Sequence, residues 1–111
     1  MKIESKFLIV KDGEKVFGEG PYRLLKSIEE LGSINRAAEK FDMSYSKALA
    51  IIKKAEDYLG YPLLERVTGG VHGGGSYLTE KGKELVKDYE DFAKEAREAV
   101  EEIFKRKFMW K

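Results

Sequence analysis

Between Ser33 and Thr79 the hydrophobic period of the chain changes twice, and that succession leaves few folds open. Two short stretches of helical period, Ile34 to about Phe41 and Tyr45 to Leu59, are separated only by Asp42-Met43 and Ser44. Ser33 and Ser44 are good N-caps, because a serine hydroxyl can take up a free backbone N–H at a helix start. Ile34, Ala37, Ala38 and Phe41 face inward on the first of these helices. The small Ala37-Ala38 pair lets its successor cross it closely. Two extended runs follow, Pro62 to Val67 and Ser76 to Thr79, on either side of the five-glycine stretch TGGVHGGG, Thr68 to Gly75. The order is helix, tight turn, helix, strand, loop, strand: a helix-turn-helix with a β-wing.

On the helix from Tyr45 to Leu59, Ala48, Ile51, Ile52, Ala55 and Leu59 form the inward stripe. The opposite face shows Ser46, Ala50, Lys53 and Asp57, flanked by Lys47 and Lys54. Its first three turns hold three lysines and no acid, while Glu56 and Asp57 lie at the far end. That polarity suits a helix entering the major groove by its N-terminus, with Tyr45, Ser46 and Lys47 nearest the base edges. The plain alternative is an amphipathic surface helix.

The glycines of the loop allow positive φ and close backbone approach, which at a wing tip permits contact with the minor groove or a phosphate. Arg66 and His72 are the side-chain candidates there, with Thr68, Gly69 and Gly70 beside them. A phosphate-binding loop needs GxxxxGK[ST]. Gly69 to Ser76 has the spacing, but Gly75 stands where lysine belongs, and the run lies between strands. A merely flexible hairpin loop is the other alternative. No nucleophile or orienting acid accompanies His72, so it does not read as a catalytic base.

The flanks complete the plan. Residues 3 to 10 and 15 to 17 read as strands around an Asp12-Gly13 turn, giving a hairpin over 1–17. Pro21 opens a helix carrying Tyr22, Leu24, Leu25, Ile28 and Leu31, closed by Gly32. Thr79 caps a long helix over 80–104. On it Leu85, Tyr89, Phe92, Ala96, Ala99 and Ile103 alternate at four and three residues, a coiled-coil seam. Val86, Ala93, Val100 and Phe104 widen the apolar stripe beyond what one small core covers, so a second copy is expected against it. The alternative is that the hairpin and first helix bury it all. Residues 105–111, KRKFMWK, form a basic tail that could fray, touch phosphate or mark a domain boundary.

Composition narrows the function classes. A chain of 111 residues, 42% hydrophobic and 37% charged, is expected to be one globular domain over 1–111. With no cysteine and a single histidine, no thiolate or His-based metal site is expected, and no cofactor. No apolar run suits a signal peptide or a bilayer span, so a cytoplasmic protein is expected. The net charge of +1 decides nothing, since binding of nucleic acid depends on where the charges sit. No nucleophile–base pair or cofactor fingerprint supports an enzyme.

From Val16-Phe17 to about Tyr89 the chain resembles the DNA-binding domain of the molybdate-dependent transcriptional regulators, the ModE family, relatives of the LysR-type winged helices. LLKSIEELGSI, AAEKFDMSYSKA, LLERVTGG, GGG and LTEKGKELVKDYE carry the likeness. Met43-Ser44-Tyr45 and Glu65 to Gly70 are its most specific parts. The resemblance implies a homodimeric winged helix-turn-helix, with the helix after the wing in the dimer interface. It also implies DNA contacts from Ser44, Tyr45, Ser46, Lys47, Arg66 and the loop Thr68 to Gly75. Val71-His72 stands where the family commonly has a basic wing residue. Full-length members carry molybdate-binding domains after the long helix, and no such domain is read within these residues.

The sequence therefore predicts a mainly α protein with small β elements, a winged helix-turn-helix acting as a homodimeric regulator on palindromic double-stranded DNA. Lys53 and Lys54 join the DNA-binding set. An oxyanion-responsive regulator and a winged helix that binds protein are the alternatives. No small-molecule effector and no membrane partner are evident.

Overall fold

A computed structural model of the chain describes residues 1–67 and 75–109. The elements run β1 (Leu8–Lys11), β2 (Glu14–Gly18), α1 (Glu19–Leu31), α2 (Ile34–Lys40), α3 (Tyr45–Leu59), β3 (Leu64–Val67), β4 (Gly75–Leu78) and α4 (Glu80–Phe104), with a final π-helical turn over Lys105–Met109. β1–β2 and β3–β4 are separate antiparallel pairs. This is the winged helix-turn-helix order, mainly helical with two small hairpins.

The first hairpin turns where Asp12 and Gly13 both take positive φ, 52° and 76°, the twist a two-residue hairpin turn needs. Its first strand is shorter than the sequence suggested, because residues 1–7 are not paired. A register shift between Ile9 and Val10 bulges the pair, and Val16, Phe17 and Gly18 are all buried in succession. The hairpin also reaches α3, where Lys11 Nζ donates to the Tyr58 carbonyl at 3.1 Å. That places a cation on the negative end of the helix.

Packing follows the apolar periods. Phe17, Leu24, Leu25, Ile28 and Leu63 are the largest fully buried side chains, joined by Ile34, Ala37, Ala38, Ala48, Ile52 and Ala55 from the two crossing helices. Ile51, Leu59 and Phe41, expected inside, are half-buried against the edge of this core. α1 begins at Glu19, two residues before Pro21, which therefore lies within the first turn, where its missing N–H costs nothing. Between α2 and α3, Asp42 adopts φ 53°, a left-handed conformation that aspartate tolerates better than most residues. The Met43 N–H returns to the Ala38 carbonyl at 3.0 Å and closes the turn.

Thr79 fastens the base of the wing to α4. Its hydroxyl donates to the Pro62 carbonyl at 2.8 Å and accepts from the Gly82 N–H at 3.0 Å, while its own N–H bonds the Leu63 carbonyl at 3.0 Å. At Gly82 a Cβ would overlap the Leu63 carbonyl oxygen, so helix and loop approach here only because the side chain is absent.

α4 starts inside the core and leaves it. Val86, Tyr89 and Ala93 are buried, and from Lys94 to Met109 no residue is. Those sixteen residues span roughly 24 Å at the helical rise. The described residues accordingly measure 62 Å along one axis and 29 and 24 Å along the others. Lys105 to Met109 continue the helix as a π turn, with Phe104 and Phe108 stacked at 5.2 Å, rather than leaving it as a frayed tail.

Candidate nucleic-acid interface

α3 spans the residues the sequence indicated, and its cap explains the start. Ser44 is extended, with φ −72° and ψ 157°, and its Oγ accepts from the Lys47 N–H at 3.1 Å. The hydroxyl proton is still available to donate outward. Tyr45, Ser46, Lys47, Ala50, Lys53, Lys54 and Asp57 are exposed, so the face assigned from the helical period is the face turned to solvent.

The wing comes beside this face. β3 and β4 pair Leu64 with Leu78, Glu65 with Tyr77, Arg66 with Ser76 and Val67 with Gly75. The Ser76 N–H donates to the Gly32 carbonyl at 3.0 Å, mooring β4 to the corner between α1 and α2. Arg66 lies with its guanidinium 5.8 Å from the Tyr45 ring centroid, a cation–π approach that joins wing to helix. Thr68, Gly69, Gly70 and His72 lie outside the described residues.

Three features were not drawn from the sequence. Asn35, exposed at the start of α2, shares a recess of about 260 Å³ with Ser33, Tyr45, Arg66 and Ser76. Its place in the first turn of α2, two residues after the Ser33 cap, carries no sequence signal of this proximity to the wing. Glu56 is the second. One carboxylate oxygen accepts from the Leu63 N–H at 2.7 Å and the Leu64 N–H at 3.4 Å, so this acid holds the entry to β3. It is a clamp, not simply a negative charge parked at the far end of α3. Third, Lys54 pairs with Glu14 of the first hairpin at 3.4 Å. Its ammonium is therefore shared with an acid of its own chain, and both side chains are about half exposed.

The seam on α4 divides. Tyr89 is only 4% exposed, and it packs edge-on against Phe17 at 5.4 Å and against Tyr22 at 5.0 Å. Its hydroxyl lies 3.1 Å from the Phe7 carbonyl and 3.3 Å from a Glu19 carboxylate oxygen. Burial, with Glu19 close by, raises the pKa of that hydroxyl. Tyr89 is thus a core residue of its own chain, a correction to its place in the intermolecular seam. The period could not separate it from its neighbours, because core and seam share one stripe near the start of α4. Leu85 and Ala96 are half-buried, whereas Phe92, Ala99 and Ile103 are exposed, Phe92 by 58%. One edge of Phe92 is met by Phe7 at 5.4 Å, and Arg97 lies over the Phe7 ring and pairs with Glu19 at 3.5 Å.

No helix among the described residues is long and apolar enough to cross a membrane. Comparison with known proteins agrees with the geometry. The chain is 39% identical over 84 residues to the molybdenum transport protein ModE of Azotobacter vinelandii, covering 76% of this chain and 31% of that one. It is 43% identical over 68 residues to the transcriptional regulator ModE of Haemophilus influenzae, covering 61% and 27%. The DNA-binding transcriptional dual regulator ModE of Escherichia coli is 35% identical over 96 residues, 85% of this chain and 36% of that one. The chain thus spans about a third of the length of these relatives. Among solved structures, that of ArgP from Mycobacterium tuberculosis superposes with a TM-score of 0.55 at 26% identity, over 77% of this chain and 30% of that one. Residues 21–83, which hold most of α1, the helix-turn-helix, the wing and the start of α4, match the family described as bacterial regulatory helix-turn-helix protein, lysR family, and the chain belongs to that family.

Proposed function

We propose that this DNA-binding transcriptional regulator acts as a homodimer on a palindromic duplex, with α3 in the major groove and the wing on the adjacent backbone or minor groove. The observation that carries the reading is the junction of Tyr45 and Arg66. The start of α3 and the base of the wing meet there, so one surface presents Ser44, Ser46, Lys47 and Lys53 together with Arg66. Such a surface suits base edges read by the helix N-terminus and phosphates held by cations on either side.

Dimerisation rests on α4. Beyond Ala93 its exposed Ala99 and Ile103 continue toward Phe108 and Met109. Helices in proteins draw most of their stability from tertiary packing of an apolar face, and beyond Ala93 this helix has no buried residue of its own chain to supply it. A second copy would cover the strip and set two α3 helices on one side of the assembly. Two such helices about one helical turn of DNA apart require a two-fold site.

The test is a pair of substitutions read by two methods. Ile103→Glu is expected to shift sedimentation from dimer to monomer, and to weaken binding to a two-half-site duplex far more than to a single half-site. Arg66→Ala is expected to leave the dimer intact and to lower the salt dependence of binding by about 0.9 in log–log slope for each phosphate no longer neutralised. A monomeric parent chain, or an unchanged salt slope in Arg66→Ala, would remove the corresponding part of the proposal.

A further inference from the structure

We propose that the recess between the first hairpin and the helix-turn-helix corner is a binding site for a small molecule with an apolar body and a carboxylate head. The recess has a volume of about 390 Å³, within the range of small-molecule sites. Val16, Phe41, Met43 and Ile51 form its walls, and the last three are only half-buried, so apolar surface is left open there. Around it stand Lys15, Arg23 and Lys54, and none of the nine lining residues is acidic.

The nearby acids are each already paired. Glu14 pairs with Lys54 at 3.4 Å, and Glu19 takes the Arg23 Nε at 3.1 Å. Arg23 keeps its terminal nitrogens and Lys15 is exposed, so a carboxylate at the rim meets cations while its chain enters the apolar floor. A cationic ligand of the same shape finds no acid among the lining residues and meets the Lys15 ammonium, so the rim favours an anionic head. The recess touches Met43 in the turn and Ile51 on α3, so an occupant leans on the element that the proposed DNA surface is built on. Its binding does not depend on that DNA reading and is measured without DNA.

The experiment is a titration of the isotope-labelled chain with octanoate, octanol and octylammonium, followed by amide shifts. Octanoate is expected to move the amides of Val16, Gly20, Phe41, Met43 and Ile51 along one saturable curve, half-complete at about 1 mM for a ligand of this size. Octanol should bind more weakly, and octylammonium should give no saturable change. Lys15→Gln and Arg23→Gln, both exposed positions, are each expected to weaken octanoate about threefold, as for an exposed ion pair. Shifts that never saturate, that centre on the exposed strip of α4, or that are equal for octanoate and octylammonium would overturn the proposal. The ligand comparison by charge needs no variant, so it stands even where a substitution disturbs folding.

Discussion

Replacing Glu56 by alanine separates two readings of that residue by opposite signs. As a solvated acid on the recognition helix, Glu56 would contribute nothing to stability, and its removal would strengthen DNA binding by deleting a negative charge. The structure instead gives its carboxylate the Leu63 N–H at 2.7 Å and the Leu64 N–H at 3.4 Å. Leu63 is fully buried, so its amide has no water to turn to when the acceptor goes. A hydrogen bond to a charged acceptor contributes about 1.5–3 kcal/mol, and the longer second bond and the half-buried carboxylate argue for about 2. With a urea m-value of about 2 kcal/mol/M, the unfolding midpoint should fall by about 1 M at unchanged m. Glu56→Gln keeps an acceptor without the charge and should lose about half as much. DNA affinity should fall as well, because β3 carries Arg66 and loses its fastening to α3. An unchanged midpoint together with tighter DNA binding would refute the clamp.

Gly82→Ala is expected to destabilise by about 1–3 kcal/mol in the same urea assay, because the new Cβ meets the Leu63 carbonyl; the same change in an unpacked helix would stabilise by about 1 kcal/mol. Lys53→Ala should weaken DNA binding more than Lys54→Ala, whose ammonium is shared with Glu14, and equal losses by fluorescence anisotropy would contradict that ranking. Tyr22, with burial and then Glu90 holding its proton on, has its pKa pushed up to about 12, and burial raises Tyr61 and Tyr89 as well. A raised folded-state pKa preserves stability below the unfolded value near 10 and loses it as pH climbs toward about 12. Urea midpoints should therefore hold steady up to about pH 9 and then decline, less steeply in Tyr22→Phe.

What the sequence revealed was local. Both interior serine caps, the Asp12-Gly13 turn, the Gly32 helix end and the bounds of α3 follow from residue types whose backbone preferences act over a few positions. The outward face of α3 was legible for the same reason, since one period fixes one face. Long-range partners were not. Nothing near Glu56 in sequence says that two amides seven and eight residues on will turn back to it, and nothing near Lys54 names Glu14, forty residues earlier. A heptad period marks which side of a helix is apolar and not which protein covers it, so by period alone Tyr89 falls in the seam although it is buried in its own core. The covering residues Phe7, Phe17 and Tyr22 come from the far end of the chain.

The proposed reading of DNA by a two-fold pair is tested most directly by selecting bound duplexes from random DNA at fixed moderate salt and sequencing them. An enriched palindrome with half-site centres about one helical turn apart is the predicted result. Duplexes retained with no enriched motif, or a motif without two-fold symmetry, would contradict the account.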